Sequence, residues 1–281
     1  MTSCNSGLGF EPTLSPIPTV LTTPTATATL TPTPTASSTP TVTFTPTATE
    51  IPYLTLVFYG DSDTAVGEMG DGKKHGGYSY VTDLSPMLPV SYTLVISNHG
   101  GRTAKWGYNH LEDDVLNFHP DVVTVWWGLN DLYSCPGIFD RGSNRLIQYQ
   151  LDLLVAEHTR YLKMQIDVLL AHGTSVYLMT TFPVLVGQLP WSHIDENNNE
   201  VWEQGRWCNY NQGLIALVET QRKLVAQYQA DGKKVYLVDI WQLYMDHPDL
   251  DGMYWDDVHP GSYGAQLIAK EWFKVFEASQ K

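Results

Sequence analysis

The sequence is short of positive charge. Its 281 residues hold 16 Lys and Arg against 30 Asp and Glu, a formal net charge of −14. No Lys or Arg precedes Lys73, and only Glu11 and Glu50 are charged in the first 50 residues, so about −12 falls on the rest. A surface of that sign repels polyanions, which excludes nucleic acid and argues against an anionic membrane surface as partner. No apolar run approaches the roughly 20 residues of a membrane-spanning helix. The chain has no G-x-S-x-G elbow, no H-E-x-x-H zinc motif, no P-loop and no G-x-G-x-x-G, so none of those frameworks organises it. Asp195, Asn197 and Asn199 alternate like the start of a calcium loop, but Glu200 stands where that loop needs glycine; a solvated loop is expected. No metal and no cofactor are expected.

Residues 11–50 are rich in two residue types, with 16 Thr and 8 Pro. Such a tract buries too little apolar surface to offset chain entropy. Residues 1–50 therefore read as a disordered tail and stalk, open to O-glycosylation, and 51–281 as one domain large enough for a full core. A stalk of this kind suggests a secreted or cell-surface protein. Met1-Thr2-Ser3-Cys4 lacks the basic start and apolar segment of a signal peptide. Two readings of Cys4 stand: a lipidated anchor, or a lone cysteine in a disordered tail. Cys135 and Cys208, expected in loops on one rim, either pair in an oxidising compartment or stay as separate thiols.

Tyr53 to Thr64 organises the domain. An apolar, β-branched and aromatic run (Leu54, Leu56, Val57, Phe58, Tyr59) reads as a buried strand, and it ends in Gly60-Asp61-Ser62. Further strands are expected at Tyr92–Ser97, Asp121–Trp127, Ser175–Thr181 and Lys234–Ile240. Helices are expected at His75–Met87, Thr103–Phe118, Ser143–Ala171, Trp207–Ala230 and Ser262–Ala278, with a polar and aromatic insertion at Phe182–Gln204. Alternating strands and helices predict a three-layer α/β/α domain around a five-stranded, mainly parallel sheet. Right-handed crossovers put every strand's carboxyl end on one rim.

That rim collects the chemistry. Ser62 follows the first strand and is either a helix N-cap or a nucleophile. His259 is the best base among the nine histidines, because Asp256 lies three residues before it in a turn. The carboxylate can orient one ring nitrogen while the other faces Ser62; adjacent Asp257 is an alternative orienter. Asn130, at the exit of the third strand, carries amide donors and no ionisable proton. In the pair Gly100-Gly101 either glycine leaves a backbone N–H uncovered. Each residue alone is also ordinary loop or cap chemistry.

Gly60-Asp61-Ser62, Gly101-Arg102-Thr103, Gly128-Leu129-Asn130-Asp131 and Asp256-Asp257-Val258-His259-Pro260, in this order, resemble the four sequence blocks of the SGNH hydrolases, or GDSL esterase/lipase superfamily. The likeness spans nearly all of 53–279. It implies a flavodoxin-like fold, Ser62 as nucleophile, His259 as base and Asp256 as acid. It also implies an oxyanion hole from the N–H groups of Ser62 and Gly101 with the Asn130 side chain. Asp63 departs from the family's usual aliphatic residue, and the second block is compressed, since Asn98 stands only three residues before Gly101. The resemblance implies ester hydrolysis without naming the ester. Trp191, Trp202 and Trp207 flank the insertion and suit stacking on sugar rings, or packing on the domain. A carbohydrate-deacetylating esterase acting outside the cell is the first expectation. A lipase, acyl-lipid hydrolase or thioesterase is the second, and an inactive, tethered carbohydrate-binding module the third.

Overall fold

In the computed structural model, the described residues are 19–22, 53–64, 78–88, 91–133, 138, 146–185, 192–194, 200–202, 204–247, 251–256 and 258–281. The central strand is the organising stretch, Tyr53–Gly60 (β2, after a short first strand β1, Thr19–Thr22). Leu56 to Tyr59 are fully buried, as the continuous apolar run requires of a strand covered on both faces. After α1 (Tyr80–Leu84), β3 (Ser91–Asn98) pairs parallel with β2 on one side. After α2 (Ala104–Asn109) and α3 (Leu111–Asp114), β4 (Val122–Trp126) pairs parallel on the other.

The chain continues through α4 (Leu129–Tyr133), α5 (Gln148–Ala171) and β5 (Ser175–Met179), which extends the sheet beyond β4. A hairpin follows, β6 (Ser192–Ile194) with β7 (Glu200–Trp202), then α6 (Gln204–Ala230) and the far parallel strand β8 (Val235–Val238). Two helices close the chain, α7 (Ile240–Met245) and α8 (Ser262–Ser279). The sheet order is β1-β3-β2-β4-β5-β8. The five parallel strands and their covering helices form the expected three-layer α/β/α architecture.

The period of two decides the layers. Leu56 and Phe58 pack with α1 and with α8 through Ile268, Trp272 and Phe276. Val57 and Tyr59 pack on the other face with α5 and α6 through Leu162, Ile166, Leu224 and Val225. Even the one hydroxyl inside β4 is used: Thr124 Oγ1 accepts the Trp272 indole N–H at 2.8 Å. Gly60 stands opposite both Asn98 and Trp126 in register, so the carboxyl ends of β2, β3 and β4 finish level on one rim.

Several expectations are corrected. Of the tail read as disordered, Thr19–Thr22 is among the described residues, and it forms an antiparallel edge strand on β3. Thr-Val-Leu-Thr is a β-favouring sequence, and β3 would otherwise expose its edge. The helix expected over Thr103–Phe118 breaks at His110 (ψ 8°) into two helices and a 3-10 turn. The strand expected to reach Ile240 stops at Val238, because Asp239 caps α7 by accepting the Gln242 N–H at 3.1 Å. The insertion at Phe182–Gln204 contains the β6–β7 hairpin. The helix expected from His75 is described only from Tyr80. Among the described residues no helix is long and apolar enough to cross a membrane.

Candidate active site

Glycine lets the rim close over β2. A Cβ on Gly60 would stand 2.5 Å from the Trp126 carbonyl oxygen and 2.1 Å from Thr64 Oγ1, too close for any other residue. The chain then turns at once, Thr64 N–H donating to the Asp61 carbonyl at 3.1 Å. This leaves Ser62, 8 % exposed, just past the strand end.

From the far end of the chain comes the loop Met253–Gly261. Its base is pinned by Gly261 N–H to the Met253 carbonyl (2.8 Å) and Trp255 N–H to the His259 carbonyl (2.9 Å). The Tyr254 hydroxyl donates to the Pro183 carbonyl. Inside the loop, Asp256 Oδ1 accepts the backbone N–H groups of Val258 (2.8 Å) and His259 (2.7 Å), an Asx-type turn. Asp256 Oδ2 is thereby aimed at His259 Nδ1, 2.7 Å away. His259 Nε2 lies 3.0 Å from Ser62 Oγ. A carboxylate only accepts, so Nδ1 carries the ring proton and Nε2 presents its lone pair to the serine hydroxyl. Burial pushes the Asp256 carboxyl up, but the His259 hydrogen bond and charge and the two backbone donors outweigh it, and the net shift is below the ordinary carboxylate range. It stays ionised where the arrangement needs it. Asp257 lies outside the described residues.

Asn130 sits in the first turn of α4, rather than in a plain loop. Its Nδ2 donates to Asp61 Oδ2 at 3.0 Å. That amide has two hydrogens, and Asp61 takes one. Gly101 has φ +73°, with no atom within 4 Å of where its Cβ would stand, and the turn is closed by Arg102 N–H to the His99 carbonyl at 3.2 Å. Of the pair Gly100-Gly101, Gly101 alone has a positive φ and so is the one whose backbone calls for glycine. Trp191 lies outside the described residues. Trp202 is in β7 and Trp207 in α6, with their side chains outside the described part of the structure. Cys4, Cys135 and the Cys208 side chain also lie outside it.

Two buried carboxyls flank the serine. Burial pushes Asp61 up to about 7, against the lowering effect of the Asp63 N–H and the Asn130 amide. Asp63, 3 % exposed, is pushed well above the ordinary range by burial first, then by the Asp61 and Asp256 charges. No sequence signal separated these two from a turn, because strand-end aspartates usually face water.

Sequence reasoning also missed an exposed aromatic pair beside the loop. Trp255 (54 % exposed) directly precedes Asp256, and its ring meets Tyr78 (46 % exposed) edge-on, centroids 6.3 Å apart. A buried set formed by Asp131, His158 and Gln221 lies behind Asn130; Asp131 closes the third motif block, while His158 and Gln221 fall in none. A serine, an imidazole and a carboxylate in series, with amide donors alongside, can carry out nucleophilic acyl transfer.

Comparison with known proteins agrees with that chemistry. The family model described as GDSL-like Lipase/Acylhydrolase matches residues 56–272. No curated protein sequence matches the chain. Among solved structures, one described as GDSL-like lipase from Parabacteroides merdae aligns with a TM-score of 0.58 at 19% identity, over 81% of this chain and 99% of that one. A catalytic mutant of an acetylxylan esterase from Geobacillus stearothermophilus aligns with a TM-score of 0.54 at 16% identity, over 79% and 93%. A lipase/acylhydrolase from Enterococcus faecalis gives 0.54 at 19% identity, over 81% and 96%. At such identities these structures share the fold; the family model, covering most of the chain, shows the descent. The chain belongs to the GDSL-like lipase/acylhydrolase family and is a serine ester hydrolase.

Proposed function

We propose that Ser62, His259 and Asp256 form the catalytic triad. The observation that carries it is the unbroken series from Ser62 Oγ to His259 Nε2 at 3.0 Å and from His259 Nδ1 to Asp256 Oδ2 at 2.7 Å. Ser62 Oγ attacks the ester carbonyl carbon as its proton passes to His259 Nε2. Asp256 stabilises the imidazolium without taking its proton. The carbonyl oxygen becomes an oxyanion held by the N–H groups of Ser62 and Gly101 and by Asn130 Nδ2. Collapse breaks the bond to the alkoxy oxygen, which leaves with the proton from His259, and an acyl-Ser62 ester remains. Water, deprotonated by His259, repeats the sequence and releases the acid. Ser62→Ala is expected to lose at least about 1000-fold in p-nitrophenyl acetate hydrolysis; equal rates would overturn the assignment.

For the substrate, an acetylated carbohydrate met outside the cell is the reading favoured. The acetylxylan esterase likeness, the threonine-proline tail, and the aromatic faces of Trp255 and Tyr78 beside the triad loop support it. Stacking a sugar ring on an indole face contributes binding rather than rate. Trp255→Ala should raise KM several-fold for acetylated xylo-oligosaccharides and leave KM for ethyl acetate unchanged. An equal change on both would remove the stacking role. The Enterococcus faecalis likeness keeps a longer-chain acylhydrolase as the second reading; activity rising from acetyl to octanoyl esters would favour it. An inactive binding module is disfavoured by the aligned serine and histidine.

A further inference from the structure

Asp131 follows Asn130 directly, and its carboxylate accepts the Ala104 N–H, at 3.2 Å on Oδ1 and 3.1 Å on Oδ2. Ala104 opens α2, three residues beyond Gly101. One carboxylate thus ties together the two segments that carry the oxyanion donors. Behind it lie His158 from α5 and Gln221 from α6, 1 % and 0 % exposed. His158 Nδ1 is 3.0 Å from Asp131 Oδ1, close but off the line of a straight hydrogen bond.

Gln221 fixes the proton in this set. Its Oε1 accepts the Thr181 N–H at 3.3 Å, and its Nε2 donates to the Trp127 carbonyl at 3.0 Å. The second Nε2 hydrogen faces His158 Nε2 at 3.3 Å. That ring nitrogen is therefore the acceptor, and the proton sits on Nδ1, facing Asp131. Gln165, 0 % exposed, adds a strut: its Nε2 donates to the Ala104 carbonyl (2.9 Å) and its Oε1 accepts the Trp127 indole N–H (3.1 Å). Trp127 directly precedes Gly128, whose φ of +150° starts the turn into α4. Gln221 holds the near side of that turn and Asp131 the far side, with Asn130 between them.

We infer that His158 and Gln221 are positioning residues which, through Asp131 and the Trp127 carbonyl, set Asn130 and Gly101 where the oxyanion forms. Buried polar groups cost stability unless satisfied, and leucines would fill the same helix positions more cheaply. A polar set spanning α5, α6, α4 and the start of α2 does what leucines cannot: it fixes directions. The inference rests on the triad reading, because donors need a target only if Ser62 attacks there.

The test compares wild type with His158→Phe, Gln221→Leu and His158→Asn, whose amide stands in for Nδ1–H. Donors displaced by a fraction of an ångström should lower kcat on p-nitrophenyl acetate by about 10- to 100-fold while KM stays within about two-fold. Affinity for a boronic acid that mimics the tetrahedral state should fall by the same factor as kcat/KM, and His158→Asn should recover much of the loss. Folded variants with wild-type kcat, or a loss carried by KM alone, overturn the inference. If His158→Phe does not fold, Gln221→Leu and His158→Asn decide it by the same readouts. Variants that match an active wild type sink only the positioning role. A wild type that hydrolyses no ester sinks the triad reading and this inference together.

Discussion

The carboxylate that orients His259 has two separate tasks. Asp256 Oδ1 holds its own loop through two backbone N–H groups, and Oδ2 holds the ring. Asp256→Asn separates them. An asparagine oxygen at the Oδ1 position keeps the loop, while its amide nitrogen faces His259 Nδ1. The ring then carries its proton on Nε2, pointing at Ser62, and has no lone pair for the attack. The expected result is a fall in kcat of roughly 1,000- to 10,000-fold with an unchanged fold, read by esterase kinetics beside circular dichroism. A loss under ten-fold would show that Asp256 does not set the tautomer. The contacts most legible in the sequence were those tied to short range: three residues from Asp256 to His259, and a serine two residues past a strand-ending glycine. Asp61 and Asp63 were not legible as a buried pair, because their burial comes from β4 and the 253–261 loop, far away in the chain.

Whole elements act on the site through contacts that leave no space. Gly264, in the first turn of α8, would place a Cβ 2.2 Å from the Met253 carbonyl and 3.0 Å from the Tyr244 hydroxyl. The helix thus seats directly on the base of the loop that carries Asp256 and His259. Gly264→Ala should cost about 1–3 kcal/mol in urea unfolding through overpacking and lower kcat as the loop shifts. A neutral effect on both would mean that the loop is positioned independently of α8. The buried strands were readable from their apolar runs, since a strand covered on both faces tolerates little else. The short helices were not. Ala104–Asn109 and Leu111–Asp114 share one apolar periodicity, and only backbone geometry at His110 divides them. α7 was hidden because Val-Asp-Ile reads as strand until Asp239 is seen to cap, with Arg222 Nε donating to its Oδ2 at 2.8 Å.

Across the molecule, charge and burial set the response to pH. For Asp61 and Asp63 the folded pKa lies above the unfolded one. Between the two values the folded chain binds more protons than the unfolded chain, so stability declines as pH rises, for Asp61 from the ordinary carboxylate range up to about 7. His99 has the opposite sign. Burial first, then the His110 and Arg102 charges, lower it to about 4, so stability is lost as pH falls from about 6.5 toward that value. Because the two trends oppose, the test is a difference. The melting temperature of Asp63→Asn minus that of wild type should grow from pH 4 to pH 8, and a flat difference would mean that Asp63 is not held neutral by its burial. The three layers and the shared rim were legible as a whole, because crossover handedness and strand alternation leave few choices. The edge strand Thr19–Thr22 was not, since its composition matches the threonine-proline tract around it.

The central claim is that one hydroxyl is activated by one imidazole, and covalent labelling tests it most directly. Wild type and His259→Ala would be treated with phenylmethylsulfonyl fluoride, digested and mapped by mass spectrometry. The expected result is a single sulfonyl adduct on Ser62 in wild type, forming in step with loss of esterase activity and nearly absent in His259→Ala. Inactivation with the adduct on any other residue, or equal labelling of Ser62 without His259, would contradict it.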